Sequence, residues 1–177
     1  MAIIALAVSL LYAPARAESY FEFGLESGGD ILASTSLEDL NAGGGFRLAL
    51  GLQRFIGGFD DVGLLFSVGY LFDRIDGSNG DADIDALLAE VVYFRDFGPH
   101  RLGIGGSYHL NPQYHDDVDG FAKTRINFDD AAGLVLRYAY ILEETFEFGA
   151  RYTVMDYRVN GRSFDADSLG IFVSVGF

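Results

Sequence analysis

The stretch Leu169-Gly170-Ile171-Phe172-Val173-Ser174-Val175-Gly176-Phe177 decides how the rest of the chain is read. In a strand, successive side chains point to opposite faces. One face is then Leu169, Ile171, Val173, Val175 and Phe177. The other is Ser168, Gly170, Phe172, Ser174 and Gly176, mostly small or polar. A continuous greasy face suits hydrocarbon, and a small polar face suits the crowded inside of a closed sheet.

Working back toward the N-terminus, the same alternation recurs in pieces of about ten residues, the length of a tilted membrane strand. In Ser19–Ser27, Phe21, Phe23 and Leu25 oppose Tyr20, Glu22, Gly24 and Glu26. In Gly44–Gln53, Phe46, Leu48, Leu50 and Leu52 oppose Arg47, Ala49, Gly51 and Gln53. In Val62–Asp73, Leu64, Phe66, Val68, Tyr70 and Phe72 oppose Gly63, Ser67, Gly69 and Asp73. In Ile84–Arg95, Glu90 marks the inner face, which leaves Leu87, Ala89, Val91 and Tyr93 outside. In Arg101–Asn111, Leu102, Ile104, Tyr108 and Leu110 oppose Gly103, Gly105, Ser107, His109 and Asn111. In Asp129–Ile141, Leu134, Leu136, Tyr138 and Tyr140 oppose Gly133 and Arg137. In Phe146–Tyr157, Phe146, Phe148, Tyr152 and Val154 oppose Glu147, Gly149, Arg151 and Thr153. With the tail this makes eight strands.

The connections alternate in kind. Gly28–Gly43, Arg74–Asp83, Pro112–Phe128 and Arg158–Asp167 are polar, acidic and mostly long, whereas Arg54–Asp61, Asp96–His100 and Glu143–Thr145 are short. That order predicts long external loops, short turns at the opposite end and both termini at the short-turn end. Aromatic residues fall near strand ends, as interfacial girdles require. Tyr70, Phe72 and Tyr108 lie toward the long loops; Tyr93, Tyr138, Tyr140, Phe146, Phe148 and Phe177 lie toward the short turns.

Hydrocarbon offers no hydrogen bonds to a free strand edge, so such a sheet must close. Eight strands leave an interior that side chains just fill. The expected fold is all-β, an eight-stranded antiparallel up-and-down transmembrane barrel. Its inner face carries Glu22, Glu26, Arg47, Glu90, Arg137, Glu147 and Arg151. Buried charges demand partners. An internal ion-pair network is therefore expected, with Glu22–Arg47 and Arg137–Glu147 on neighbouring strands. A charged narrow pore for small solutes is the alternative use of these residues.

At the N-terminus, Ile3–Leu11 is apolar and Ala15-Arg16-Ala17 has the small-x-small form of a signal-peptidase site. Residues 1–17 read as a removed secretory signal and 18–177 as the barrel domain. The apolar run lacks a preceding Lys or Arg, so whether Met1 is the true start stays open. The formal charge is −14, and removal of Arg16 takes it to −15. Such a balance excludes nucleic acid, which needs basic surface. The chain has no Cys, so disulfides and thiolate metal sites are excluded. Glycine outnumbers proline 23 to 3, which suits a sheet with crowded inner positions.

Signal, alternating strands, loop asymmetry and terminal Phe177 together resemble the small eight-stranded outer-membrane barrels, the OmpA-like, OmpX and opacity-type proteins. The resemblance is architectural, and covers the whole mature chain. It implies a bacterial outer-membrane location, contact with membrane lipid and lipopolysaccharide, and insertion by the barrel-assembly machinery reading Phe177. It also implies a monomer without cofactor whose external loops act as structural or binding elements, in the range from anchor to adhesin to porin-like channel.

Two further readings concern chemistry. Ser107 and His109 share a face, and Glu90 or Asp73 from adjacent strands could orient the imidazole; a nucleophile needs a base within hydrogen-bond reach. Lipid A deacylases have a His-x-Ser pair, and here the order is Ser107-Tyr108-His109. A lipid A-modifying acyl hydrolase or transferase is therefore the enzymatic alternative, and a structural polar pair is the preferred reading. Asp76, Asp81, Asp83 and Asp85 gather around Gly77-Ser78-Asn79-Gly80, with a second group at His115, Asp116, Asp117 and Asp119. Oxygen-rich groups suit hard divalent cations such as Ca²⁺. Their spacing does not follow the EF-hand register, so the expected site is irregular.

Overall fold

The computed structural model describes residues 17–35, 38–56, 59–78, 80–118, 123–143 and 145–177. The expected signal lies outside the described residues, apart from Ala17. The described elements in chain order are β1 (Ala17–Ser27), β2 (Ile31–Ser34), β3 (Asp39–Asn41), β4 (Gly45–Phe55) and β5 (Val62–Gly77). They continue with β6 (Gly80–Phe97), β7 (His100–Val118), β8 (Thr124–Asn127), β9 (Ala131–Glu143) and β10 (Phe146–Val154). Last come β11 (Asp156–Val159), β12 (Arg162–Asp165) and β13 (Ser168–Gly176).

Eight of these strands form a closed antiparallel ring, β1-β4-β5-β6-β7-β9-β10-β13, with β13 returning to β1. The closing seam pairs Glu22 with Ser174 and Phe23 with Val173. Every strand of the ring therefore has neighbours on both sides, as hydrocarbon surroundings require. The side chains sort by face as alternation predicts. Leu50, Val68, Leu102 and Ile171 are 56, 65, 53 and 64 % exposed, whereas Glu22, Arg47 and Arg151 are 1, 1 and 3 % exposed. Large apolar groups outside and charges inside invert the layout of a water-soluble domain. The outside is built for lipid.

The segments read as long loops are largely strand. β5 and β6 run on through Asp76↔Asp81 to Gly77↔Gly80, so residues 74–77 and 80–83 are paired strand. β7 continues to Val118 and takes β8 alongside it. β11–β12 and β2–β3 are further hairpins at the same end. Across this outer part the face preference reverses. Ile75, Ala82, Ile84 and Tyr114 point inward and are buried, whereas Arg74 and Asp76 point outward and are exposed. There the wall stands in water and obeys the ordinary rule, apolar within and charged without.

Strand β7 changes phase at this boundary. Leu87 opposes Leu110 and Asp85 opposes Gln113, so Ala86 faces two residues, Asn111 and Pro112. This is a β-bulge, and it rephases every later side chain on the strand. Asn111 takes the left-handed backbone that asparagine tolerates, with φ of 47°. Its N–H donates to Asp130 Oδ1 at 2.9 Å, and the Pro112 carbonyl accepts from Phe128 N at 2.9 Å. Asn111, expected inside, is consequently exposed, and Pro112 and Tyr114 are buried.

Candidate functional site

The lumen is filled in two layers. In the membrane-spanning layer, Glu22 of β1 sits between three guanidiniums. It accepts hydrogen bonds from Arg47 Nη1 of β4 and Arg137 Nη1 of β9, and Arg151 Nη1 of β10 lies 3.9 Å away. Glu90 of β6 accepts from Arg151 Nη2 at 2.7 Å and faces Arg47 Nη2 at 3.4 Å. Glu26 faces Arg151 Nε at 3.3 Å and Arg47 Nε at 3.7 Å, and accepts from Ser168 Oγ at 2.7 Å. Glu147 lies 3.7 Å from Arg137 Nη2. All seven residues read from the inner face thus belong to one connected cluster drawn from five strands.

The sequence reading missed how far this cluster extends. Arg101, near the start of β7, donates to Gln53 Oε1 at 2.6 Å and to Glu147 Oε1, and makes a forked pair with Asp96 at 2.6 and 2.8 Å. Arg101 opens the expected strand Arg101–Asn111, and its alternation parity with Gly103 is the signal that places it inside. Aromatic faces cover the cluster. The Arg101 guanidinium lies 4.0 Å from the Phe94 ring centroid, and that of Arg137 lies 3.7 Å from Phe172. Four arginines face four glutamates in this layer, with Asp96 at its edge, so the lumen holds almost no net charge. At the terminal end a recess of about 20 Å³, lined by Tyr20, Gln53, Arg137 and Glu147, is the size of one water.

Above the ionic layer lies an apolar one. Leu40, Ile75, Ile84, Tyr114, Phe128, Met155 and Tyr157 pack together at the far mouth. Hairpin β2–β3 contributes Leu40, which is 0 % exposed. The hairpin is tied down by Asp30, whose N–H donates to Asp165 O at 2.7 Å and whose carboxylate accepts from Asp165 N at 2.9 Å. Tyr157 links the layers, its hydroxyl lying 2.6 Å from His109 Nδ1. Burial, and the charge of Glu26, push the Tyr157 phenol well above the ordinary tyrosine range.

The three catalytic candidates do not form a relay. Ser107 pairs across the ladder with Glu90, but the carboxylate is engaged by Arg47 and Arg151. The imidazole of His109 meets Tyr157, and Ser107 Oγ has no hydrogen-bond partner among the described residues. All three groups are enclosed, at 3–7 % exposure, behind the barrel wall. The Ser107 hydroxyl is therefore not within hydrogen-bond reach of the His109 imidazole, as a nucleophile and its base would be.

The acidic candidates divide. Asp76 and Asp81 are held by Arg74, at 3.0 and 3.2 Å. Asp83 and Asp85 instead converge with His115, and their ligand atoms lie within 4.8 Å of one another. On the outer face, Tyr108 donates to Asp130 at 3.1 Å and Tyr152 to Asp167 at 3.2 Å. These pairs anchor two girdle tyrosines to the wall just above the apolar belt.

A closed ring of eight antiparallel strands with a lipid-facing outside and an ionic core is a transmembrane β-barrel, in the fold of the small bacterial outer-membrane barrels. Solved structures share it. The attachment invasion locus protein Ail of Yersinia pestis, solved with the heparin analogue sucrose octasulfate, aligns over 92% of this chain and 99% of its own, with a TM-score of 0.59 and 8% identity. Neisserial surface protein A aligns over 92% and 99%, with a TM-score of 0.54 and 15% identity. A major outer membrane protein of Thermus thermophilus aligns over 91% and 99%, with a TM-score of 0.52 and 14% identity. No protein-family model matches the chain, and no curated protein matches it.

Proposed function

We propose that this chain is a non-conducting, monomeric barrel of the bacterial outer membrane. It presents a rigid acidic end at the cell surface to cationic partners. The observation that carries the reading is the double filling of the lumen, ionic in the membrane and apolar at the mouth. A path for solutes would have to break both layers. Charge selects the class of partner. Segments 28–44, 73–83, 112–130 and 155–167 carry fifteen Asp and Glu against five Lys and Arg. Ail was solved with a polyanion; the acidic balance of the segments here favours a polycation instead.

The apolar belt takes membrane lipid, and lipopolysaccharide surrounds the outer rim. Phe177, just past the end of β13 and 75 % exposed, suits recognition by the barrel-assembly machinery. The acyl hydrolase reading has no support in the arrangement of Ser107, His109 and Glu90. Planar-bilayer recording tests the seal: the refolded protein should give no discrete conductance steps, and regular steps would refute it. Surface plasmon resonance tests the partner class. Oligolysine should bind with strong salt dependence and sucrose octasulfate should not; the reverse preference would overturn the assignment.

A further inference from the structure

Sequence alternation alone would put His115 inside the barrel, on the same face as His109. The bulge at Asn111–Pro112 turns it outward, where it pairs across the ladder with Asp83. Asp85 lies two residues along β6 on the same face. The imidazole Nδ1 of His115 lies 3.3 Å from Asp83 Oδ2, and the two side chains are 36 and 33 % exposed. Two carboxylates and one imidazole thus converge on a sheltered but reachable spot just above the apolar belt. A depression of about 370 Å³ opens beside it, lined by Asp83, His115, Asp116 and Thr124.

Two of the surrounding cations are paired with other carboxylates, and Arg125, opposite His115 across the ladder, donates to a neutral amide. Arg74 holds Asp76 and Asp81, Lys123 pairs with Asp117, and Arg125 donates to Gln113. Among the described residues, neither Asp83 nor Asp85 has a lysine or arginine ion pair. Two carboxylates thus stand beside an imidazole, with the Tyr70 hydroxyl hydrogen-bonded to Asp85 and Arg125 opposite His115 on β8, so the cluster offers two oxygen donors and one nitrogen donor. Ca²⁺ takes six to eight oxygens and does not favour nitrogen. An N,O,O set with room for added water suits a borderline ion of the zinc type.

We infer that Asp83, Asp85 and His115 bind a divalent transition-metal ion, with Zn²⁺ as the representative, on the outer wall at the membrane surface. The site is separate from the sealed lumen, and does not depend on which macromolecule the acidic end meets. The ion would clamp β6 to β7 directly above the bulge.

The test is calorimetric titration of Zn²⁺ into the full chain, without an affinity tag, refolded in detergent micelles. One saturable site is expected. His115→Gln and Asp83→Asn should each weaken it at least tenfold, and Asp85→Asn should also weaken it. His100→Gln and Asp76→Asn should leave it unchanged. The imidazole resonances of His115, and not those of His100 or His109, should shift on adding Zn²⁺. A heat-modifiable gel band confirms that each variant is folded. Absence of a saturable site in the wild type, equal weakening by Asp76→Asn, or displacement of Zn²⁺ by equimolar Ca²⁺ would overturn the inference.

Discussion

Glu22→Gln is the sharpest probe of the lumen. The substitution keeps the size of the side chain but removes one negative charge among Arg47, Arg137 and Arg151. Arg47 and Arg137 then lose the carboxylate they share, at a position 1 % exposed. Breaking a buried pair by neutralising one partner costs about 3–5 kcal/mol. With a urea slope of about 2 kcal/mol per molar, the unfolding midpoint falls by roughly 1.5–2.5 M. Far-ultraviolet circular dichroism in lipid vesicles follows the transition. Arg137→Gln added to Glu22→Gln restores the charge balance, and should recover at least about 1 kcal/mol of the loss, because directly paired groups couple. A water-filled lumen gives a different result: ions about 4 Å apart in water attract by only about 1 kcal/mol. A midpoint shift below about 0.5 M, with no recovery in the double variant, would correspond to that weak attraction and refute the sealed ionic layer.

Leu40→Ala should cost about 2–5 kcal/mol of local stability at the mouth, seen as faster proteolysis in hairpin β2–β3 while the membrane-spanning ring stays resistant. Gly149→Ala should reduce the yield of folded barrel on heat-modifiability gels, since a Cβ there overlaps the Tyr138 carbonyl oxygen and the Phe172 ring. Gly106→Ala is the control, with its nearest contact at 3.6 Å, and should fold normally. Tyr157→Phe tests alkaline behaviour. The folded pKa of Tyr157 is raised, so its contribution is full below the unfolded value of about 10 and is lost as pH climbs through the folded value. The variant should lose less stability than the wild type above about pH 10, in urea midpoints measured across that range; identical slopes would show that Tyr157 is not protected.

The membrane-spanning ring was legible because one rule holds along every strand there. Leu64, Phe66, Val68 and Tyr70 repeat at a spacing of two, and with small and charged groups on the opposite face of the sheet such a row marks the lipid side. The inner charges were legible for the same reason, since Glu22 and Arg47 stand where the alternation demands small or polar groups. The outer end was not legible, because the rule reverses without a break in the strand. Ile75 and Ile84 keep the inward parity of Leu71 and Leu88, yet their outward neighbours change from Phe72 and Leu87 to Arg74 and Asp83. A polar, acidic segment read by composition alone looks like loop. Read by face, it is a strand that has crossed from oil into water.

The surroundings of Ser107, His109 and the acidic groups were not legible for a related reason. Pairing on one strand says nothing about what enters from another. His109 and Ser107 share a face, but Tyr157, 48 residues further along the chain, occupies the imidazole. Asp83 and His115 lie in segments that sequence reading kept apart, and a single bulge joins them. Such a bulge leaves only the Asn-Pro pair as a trace, and that pair equally marks a loop.

The reversal of faces also bears on how the outer end would meet a partner. A mobile loop must be ordered on binding, and that ordering opposes association. Here the acidic side chains Asp76, Asp81, Asp83 and Asp117 project from ladder-paired strands over a closed apolar core. Their spacing is fixed by the sheet before any partner arrives. A cationic ligand of the proposed kind would therefore compete for carboxylates held at set intervals, which favours rigid partners of matching spacing over flexible ones of equal charge. The core that seals the mouth and the wall that holds the carboxylates are the same structure, so loosening Leu40 or Tyr157 should weaken binding as well as the seal.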